Sequence, residues 1–257
     1  MDNKKISFVS RTGKTVDCIE SRGVNERGSA VLIHGLGGSI EQEHLVEAAR
    51  ILSEHGFRVL LVSATEDIAY GKEATKRATA TARIQNLDDA LIYIEESGWD
   101  MTHLIVGGHS LGGLAAGIVA SRDKRVTGAL LIAPVVSGDM ALMRRGVETL
   151  DAWREKGSIE REFPTHPNIV FEISYEFMND MRHYSLIQCA DTISAHVCMV
   201  VGSQDESTPA SELKLLAHVL KDRGTYVEIK GTRHNFRGKE NEVAAAISEW
   251  VLRVLPG

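Results

Sequence analysis

Short apolar runs rich in leucine and β-branched residues recur along the chain at Ala30–Ile33, Arg58–Val62, Leu104–Val106, Ala129–Ile132, Val197–Val201 and Tyr226–Ile229. Several are apolar almost throughout, as expected of parallel strands buried on both faces. The segments between them repeat at helical spacing. Leu45, Ala48, Ala49 and Leu52 fall at i, i+3, i+4, i+7, with Gly56 as a stop; Ile84, Leu87, Leu91 and Ile94 form a second stripe, and Ala244, Ile247, Val251 and Val254 a third. Ahead of the first run, Lys4–Val9 and Thr15–Glu20 read as a β-hairpin around Thr12-Gly13-Lys14. Strands alternating with helices predict βαβ units and a mostly parallel α/β sheet.

The alternation breaks once. After the strand ending near Pro134, roughly 55–60 residues pass before the next one, far beyond an ordinary connection. This segment, about 136–192, has helical stretches and holds Trp153, Phe163, Phe171, Tyr175, Phe177 and Tyr184. An aromatic-rich insertion of this size predicts a small helical lid over a site. Its aromatics would contact an apolar substrate portion or pack a core beneath the lid.

The most specific local signal is Gly108-His109-Ser110-Leu111-Gly112, a G-x-S-x-G directly after a strand and before the small-residue helix Gly113–Ser121. A tight strand-to-helix turn exposes the serine hydroxyl, and the helix N-terminus aims N–H groups at developing negative charge. Ser110 is therefore the candidate nucleophile. A serine needs a base and a group to orient that base. Asp205, in Val200-Val201-Gly202-Ser203-Gln204-Asp205, and His234, in Lys230-Gly231-Thr232-Arg233-His234, each follow a late strand, in the order acid then histidine. A helix cap at Asp205 and a surface position for His234 are the bland alternatives. His34-Gly35-Leu36-Gly37-Gly38 follows the first parallel strand, and the N–H groups of Leu36 and Leu111 are the candidate oxyanion donors. His109 reads as a packed or hydrogen-bonded neighbour of the turn. Glu43 and His44, early in a helix, read as a helix-terminal polar contact or as a substrate contact.

Composition narrows the partners. The chain of 257 residues has 29 Lys+Arg and 35 Asp+Glu, a formal charge of −6. An acidic chain without a basic block is a poor match to the nucleic-acid backbone. No apolar stretch approaches a membrane span, and the N-terminus lacks a signal-peptide core. Cys18, Cys189 and Cys198 are odd in number and scattered, which fits a reducing, cytoplasmic setting. Gly13-Lys14-Thr15 lacks the upstream glycine of a phosphate loop, since position 8 is Phe8; Gly35-Leu36-Gly37 lacks the third glycine of a dinucleotide fingerprint, since Ile40 stands there. The histidines show no paired metal-ligand spacing. The expectation is a small-molecule reaction with no metal and no cofactor, without nucleic acid or membrane.

Together, HGLGG, EQEHLVEAARILSEHGF, GHSLGG, ALLIAPV, VGSQDESTP and GTRHNF resemble the α/β-hydrolase superfamily over almost the whole chain. Within it the chain is most similar to bacterial feruloyl/cinnamoyl esterase-like and serine-aminopeptidase-like hydrolases, through the glycine loop with its E-x-H helix and FEISYEFMNDMRHY. The resemblance implies one domain over residues 1–257, a mostly parallel eight-stranded sheet flanked by helices, and the lid at about 136–192. It implies Ser110, His234 and Asp205 as nucleophile, base and orienter, with Leu36 and Leu111 as oxyanion donors. One stretch departs: such enzymes carry D-x-x-G-x-G-x-S after the fourth strand, where this chain has SATEDIAYGK at 63–72. That loop often borders the acyl pocket, so feruloyl specificity does not carry over. Carboxylic ester cleavage is the leading expectation. A thioesterase or amide-cleaving enzyme would use the same triad, and a ligand-binding protein on a hydrolase scaffold is the rival class. Arg144, Arg145, Lys156 and Arg161 would form a basic rim for a coenzyme A thioester, or a solvated charged face.

Overall fold

The computed structural model describes residues 3–65, 75–163 and 166–254, without the side chains of Phe163 and of 166–168. Most of the departing loop after the fourth strand, 66–72, lies outside the described residues. Eight strands form the central sheet: β1 (Asn3–Val9), β2 (Thr15–Ser21), β3 (Gly28–Ile33), β4 (Phe57–Val62), β5 (Leu104–His109), β6 (Val126–Ile132), β9 (His196–Gly202) and β10 (Gly224–Ile229). Their order is β1-β2-β4-β3-β5-β6-β9-β10. The β1/β2 and β2/β4 pairs are antiparallel and the remaining pairs parallel.

Helices cover both faces. On one, α1 (Glu43–Glu54) packs against α9 (Glu240–Val254) over a core that includes Leu45, Leu52, Ile105, Leu130 and Trp250. On the other, α2 (Ala80–Glu96) packs against α3 (Leu111–Arg122), and α8 (Ala210–Leu220) lies beside β9 and β10. Each large apolar side chain buried this way stabilises the fold by roughly 1.5–3 kcal/mol. The predicted helical stripes are the buried faces: Leu45, Ala48, Ala49 and Leu52 of α1, and Ile84, Leu87, Leu91 and Ile94 of α2, are all buried. The thin sequence of α3 has a packing reason. A Cβ on Gly113 would come 2.8 Å from Pro134 Cβ, so only glycine lets this helix approach so closely.

The chain leaves β3 for β4 on one side and later returns to β5 on the other. The helices that follow β3 and β5 therefore lie on opposite faces of the sheet, and the paired carboxyl ends of these two strands mark the place where open α/β sheets form a ligand crevice. Loops after β3 and β5 meet there.

The connection between β6 and β9 differs from the all-helical expectation. It contains α4 (Gly138–Arg145), α5 (Val147–Lys156), α6 (Glu176–Met181) and α7 (Leu186–Cys189), and also a separate antiparallel hairpin of β7 (Ser158–Phe163) and β8 (His166–Ser174). The signal is a period of two: Phe171, Ile173 and Tyr175 are buried while Val170, Glu172 and Ser174 are only partly so. Most of the segment's aromatics are core. Trp153, Phe171, Tyr175 and Phe177 are buried in the same cluster as the sheet residues of that face. The Trp153 indole N–H donates to the Ile173 carbonyl at 3.1 Å.

Candidate active site

The strand β5 runs directly into α3 through Ser110, whose backbone sits at φ 55°, ψ −116°. A non-glycine residue in this region carries strain of order 1–3 kcal/mol, and such strain clusters at functional sites. The flanking glycines make the turn possible. A Cβ on Gly108 would meet Gly112 C, Gly112 O and Ile33 O, each at 2.6 Å. All three are backbone atoms that cannot rotate away. Gly108→Ala is therefore expected to destabilise the protein by about 2–4 kcal/mol, read as a drop in the urea midpoint at unchanged slope.

The acid and histidine predicted from strand ends come together. His234 Nδ1 lies 2.8 Å from Asp205 Oδ2, and the Asp205 side chain is fully buried. Asp205 is held on its other side. Its Oδ1 accepts the backbone N–H groups of Ser207 at 2.8 Å and Thr208 at 2.9 Å. The helix-cap alternative does not hold: Pro209 stands at the N-cap of α8 without a side-chain cap bond, and Asp205 Oδ1 instead closes the turn ahead of it while the other oxygen faces the histidine. The buried Thr208 hydroxyl lies 2.9 Å from Asp205 Oδ2 and 3.1 Å from the Ala133 carbonyl. It ties the acid loop to the end of β6, and no sequence pattern marked it. Ser110 and His234 line one cavity of about 370 Å³, without a hydrogen bond between their side chains.

Leu36 and Leu111 line the same cavity, and neither N–H donates to a backbone acceptor among the described residues. The loop carrying Leu36 is pinned at its start. Ala64 N–H donates to His34 Nε2 at 3.1 Å, which leaves the proton on Nδ1 to donate to the Gly35 carbonyl at 2.9 Å. Gly35 must be glycine, since a Cβ there would lie 2.9 Å from Ser110 Cβ.

Behind the cavity lies a histidine stack that sequence reasoning saw only in part. His109 Nε2 is 2.9 Å from the His234 carbonyl, so it carries the proton and holds the backbone of the histidine loop. The His109 ring lies 4.6 Å from the His234 ring and meets His44 edge-on at 4.4 Å. His44 is buried inside the protein and makes its polar contact with the backbone of Asn235, at the start of the helix; Gln42, just before α1, lines the cavity. Burial, with the nearby His44 and His234, pushes the His109 pKa well below its ordinary value. Burial, with His234 beside it, pushes His44 down to about 4.

A folded-state pKa near 4 against 6.5 in the unfolded chain means that the unfolded chain binds more protons between those values. The stability His44 contributes is complete above about pH 6.5 and is lost as pH falls toward 4. Between pH 7 and pH 5 this amounts to about 2 kcal/mol, and His109 acts in the same direction. The urea midpoint of the wild type is expected to fall over this range. His44→Phe is expected to flatten that fall by its share; an unchanged slope would assign the acid sensitivity elsewhere.

Among the described residues, no group of three or more His, Cys, Asp or Glu side chains is arranged to hold a metal, and no helix is long and apolar enough to cross a membrane. The three cysteines are unpaired, and burial pushes the thiols of Cys18 and Cys198 up to about 12.

Solved structures similar over nearly the full length include Est1E from Butyrivibrio proteoclasticus with ferulic acid bound (18% identity, 98% of this chain and 100% of that one, TM-score 0.82). They also include the alpha/beta hydrolase GrgF from Penicillium sp. sh18 (17% identity, all of both chains, TM-score 0.78). A third is the esterase domain of a Rhodothermus marinus protein (16% identity, 98% and 99%, TM-score 0.71). At these identities the likeness is one of fold. No curated protein sequence matches the chain. The profile described as the alpha/beta hydrolase family matches residues 30–246, which runs from β3 into α9 and includes every candidate residue above. The chain belongs to the alpha/beta hydrolase family.

Proposed function

We propose that the protein is a serine hydrolase that cleaves a carboxylic ester through an acyl-enzyme. The observation that carries this reading is Ser110 at φ 55° on a strand-to-helix turn, in one cavity with a histidine whose Nδ1 is 2.8 Å from a buried aspartate. In the mechanism, His234 Nε2 takes the Ser110 proton as Oγ attacks the ester carbonyl, once a rotation of the serine side chain brings the two within hydrogen-bond reach. The N–H groups of Leu36 and Leu111 hold the oxyanion, each worth roughly 10²–10³ in rate. Asp205 keeps the Nδ1–H tautomer and stabilises the imidazolium. His234 then protonates the leaving alcohol, and water releases the acid by the same steps in reverse order.

We read residues 136–192 as a lid within a single domain. Ala141, Arg144, Arg145, Arg161, Phe177 and Met181 supply one wall of the cavity, and this supports that reading. The esterases among the similar structures support an ester over an amide. The test is turnover of p-nitrophenyl esters of graded chain length, with fluorophosphonate labelling of Ser110. Turnover and label that both vanish in Ser110→Ala support the proposal. Turnover undiminished in that variant overturns it.

A further inference from the structure

The part of the cavity wall that residues 136–192 supply is basic although the chain is acidic. Arg144, Arg145 and Arg161 line it, and among the described residues Glu206, which is exposed, is the carboxylate that lines it with them. The arginines are not equivalent. Arg144 is paired with the Glu212 carboxylate and donates to the Ser207 carbonyl at 2.9 Å. Arg145 is partly buried, and among the described residues no carboxylate forms an ion pair with it. Its guanidinium instead lies 5.5 Å from the centre of the Trp153 ring. Trp153 is itself nearly fully buried and tied by its N–H to Ile173, so this platform is fixed. Burial and the positive charges of Arg161 and Arg144 lower the Arg145 pKa. Desolvating a cation is costly, and an anion entering the cavity relieves that cost.

We infer that the cavity selects esters that carry a carboxylate, and that Arg145 is the residue that reads it. The inference rests on the ester-hydrolase reading above and names its substrate class. The planar guanidinium, held on an aromatic face, presents its N–H fork to a carboxylate with little ordering left to do. A cavity of about 370 Å³ lies in the lower part of the usual range for ligand sites, which suits a small half-ester over a nucleotide-bearing thioester. Lys156 does not line the cavity, so the basic rim expected for coenzyme A is incomplete.

The test compares kcat/KM for three substrates: p-nitrophenyl butyrate, p-nitrophenyl hemiglutarate with its carboxylate on the acyl side, and 4-carboxyphenyl butyrate with its carboxylate on the alcohol side. Each is measured with wild type, Arg145→Gln and Arg145→Lys, after thermal unfolding has shown the variants folded. The anionic-to-neutral ratio for one of the two carboxylate esters is expected to fall roughly 10- to 100-fold in Arg145→Gln, and less in Arg145→Lys. Which ester responds tells the side on which the carboxylate sits. Equal ratios in wild type and Arg145→Gln overturn the inference and leave the ester reading standing. No turnover of any ester, with no fluorophosphonate label, sinks the ester reading instead. Calorimetric binding of glutarate to the wild type then decides the inference: binding lost in Arg145→Gln sustains it, and absent or undiminished binding overturns it.

Discussion

Ser110→Gly is expected to abolish ester turnover by 10⁴-fold or more and, in the same variant, to raise stability by about 1–2 kcal/mol. The first effect follows from the proposed chemistry, because no other hydroxyl is carried on the turn between β5 and α3. The second follows from the backbone. Serine at φ 55°, ψ −116° stores strain that glycine does not, and the turn around it is over-determined. Its N–H donates to the Ile132 carbonyl at 2.9 Å, its carbonyl accepts from Val135 N–H at 3.1 Å, and Gly108 and Gly112 are packed backbone to backbone. The turn cannot relax to accommodate the serine, so the serine accommodates the turn. Ser110→Ala separates the two effects: it is expected to lose turnover equally while gaining nothing in stability, because alanine has the same Cβ. Urea midpoints of the three proteins, with rates on one good p-nitrophenyl ester, read both effects. A glycine variant no more stable than the alanine variant would mean that the turn carries no strain.

Asp205→Asn is expected to lower kcat by about 10⁴-fold while the protein stays folded. The backbone amides of Ser207 and Thr208 can still donate to Oδ1 of the asparagine, so the turn ahead of α8 survives. The other end of the side chain changes sign. Oδ2, now 2.8 Å from His234 Nδ1 and 2.9 Å from the Thr208 hydroxyl, becomes an NH₂ donor. The histidine then keeps its proton on Nε2 to present a bare Nδ1, and Nε2 is no longer a base toward Ser110. Such a loss should appear in kcat with KM little changed, since binding does not use this pair. A defect of less than tenfold would show that the histidine keeps its productive tautomer without the carboxylate. Thr208 offers a graded companion. It bridges the aspartate to Ala133, which itself sits at φ 41°, so the acid, the end of β6 and the turn after it form one constrained unit.

Much of this is legible in the sequence, for reasons that differ by element. The inner parallel strands announce themselves because burial on both faces leaves few polar positions. The flanking helices do so because one buried stripe repeats at 3.6 residues. Ser110, Asp205 and His234 are readable because each follows a strand at its carboxyl end, and the topology gathers those ends into one crevice. The hairpin at 158–174 shows the limit of that reading. Its alternation is clear in Phe171, Ile173 and Tyr175, but both strands lie outside the main sheet, within a segment whose aromatics fit substrate contact and core packing alike. Three of those aromatics, Trp153, Phe171 and Tyr175, pack the core, and among the buried ones Phe177 alone lines the cavity.

What the chain order determined by itself is therefore the scaffold and the chemistry of its turns, since periodicity and turn geometry are local properties. What only the tertiary structure decided is which distant groups share an environment. His44 becomes a buried neighbour of His109, Thr208 joins Asp205 to Ala133, and Arg144 finds Glu212 while Arg145 lies above Trp153 in the wall of the cavity that holds the candidate nucleophile. Charge pairing and desolvation depend on distances across the fold, and residues such as Arg144 and Arg145, adjacent in sequence, meet opposite fates for that reason.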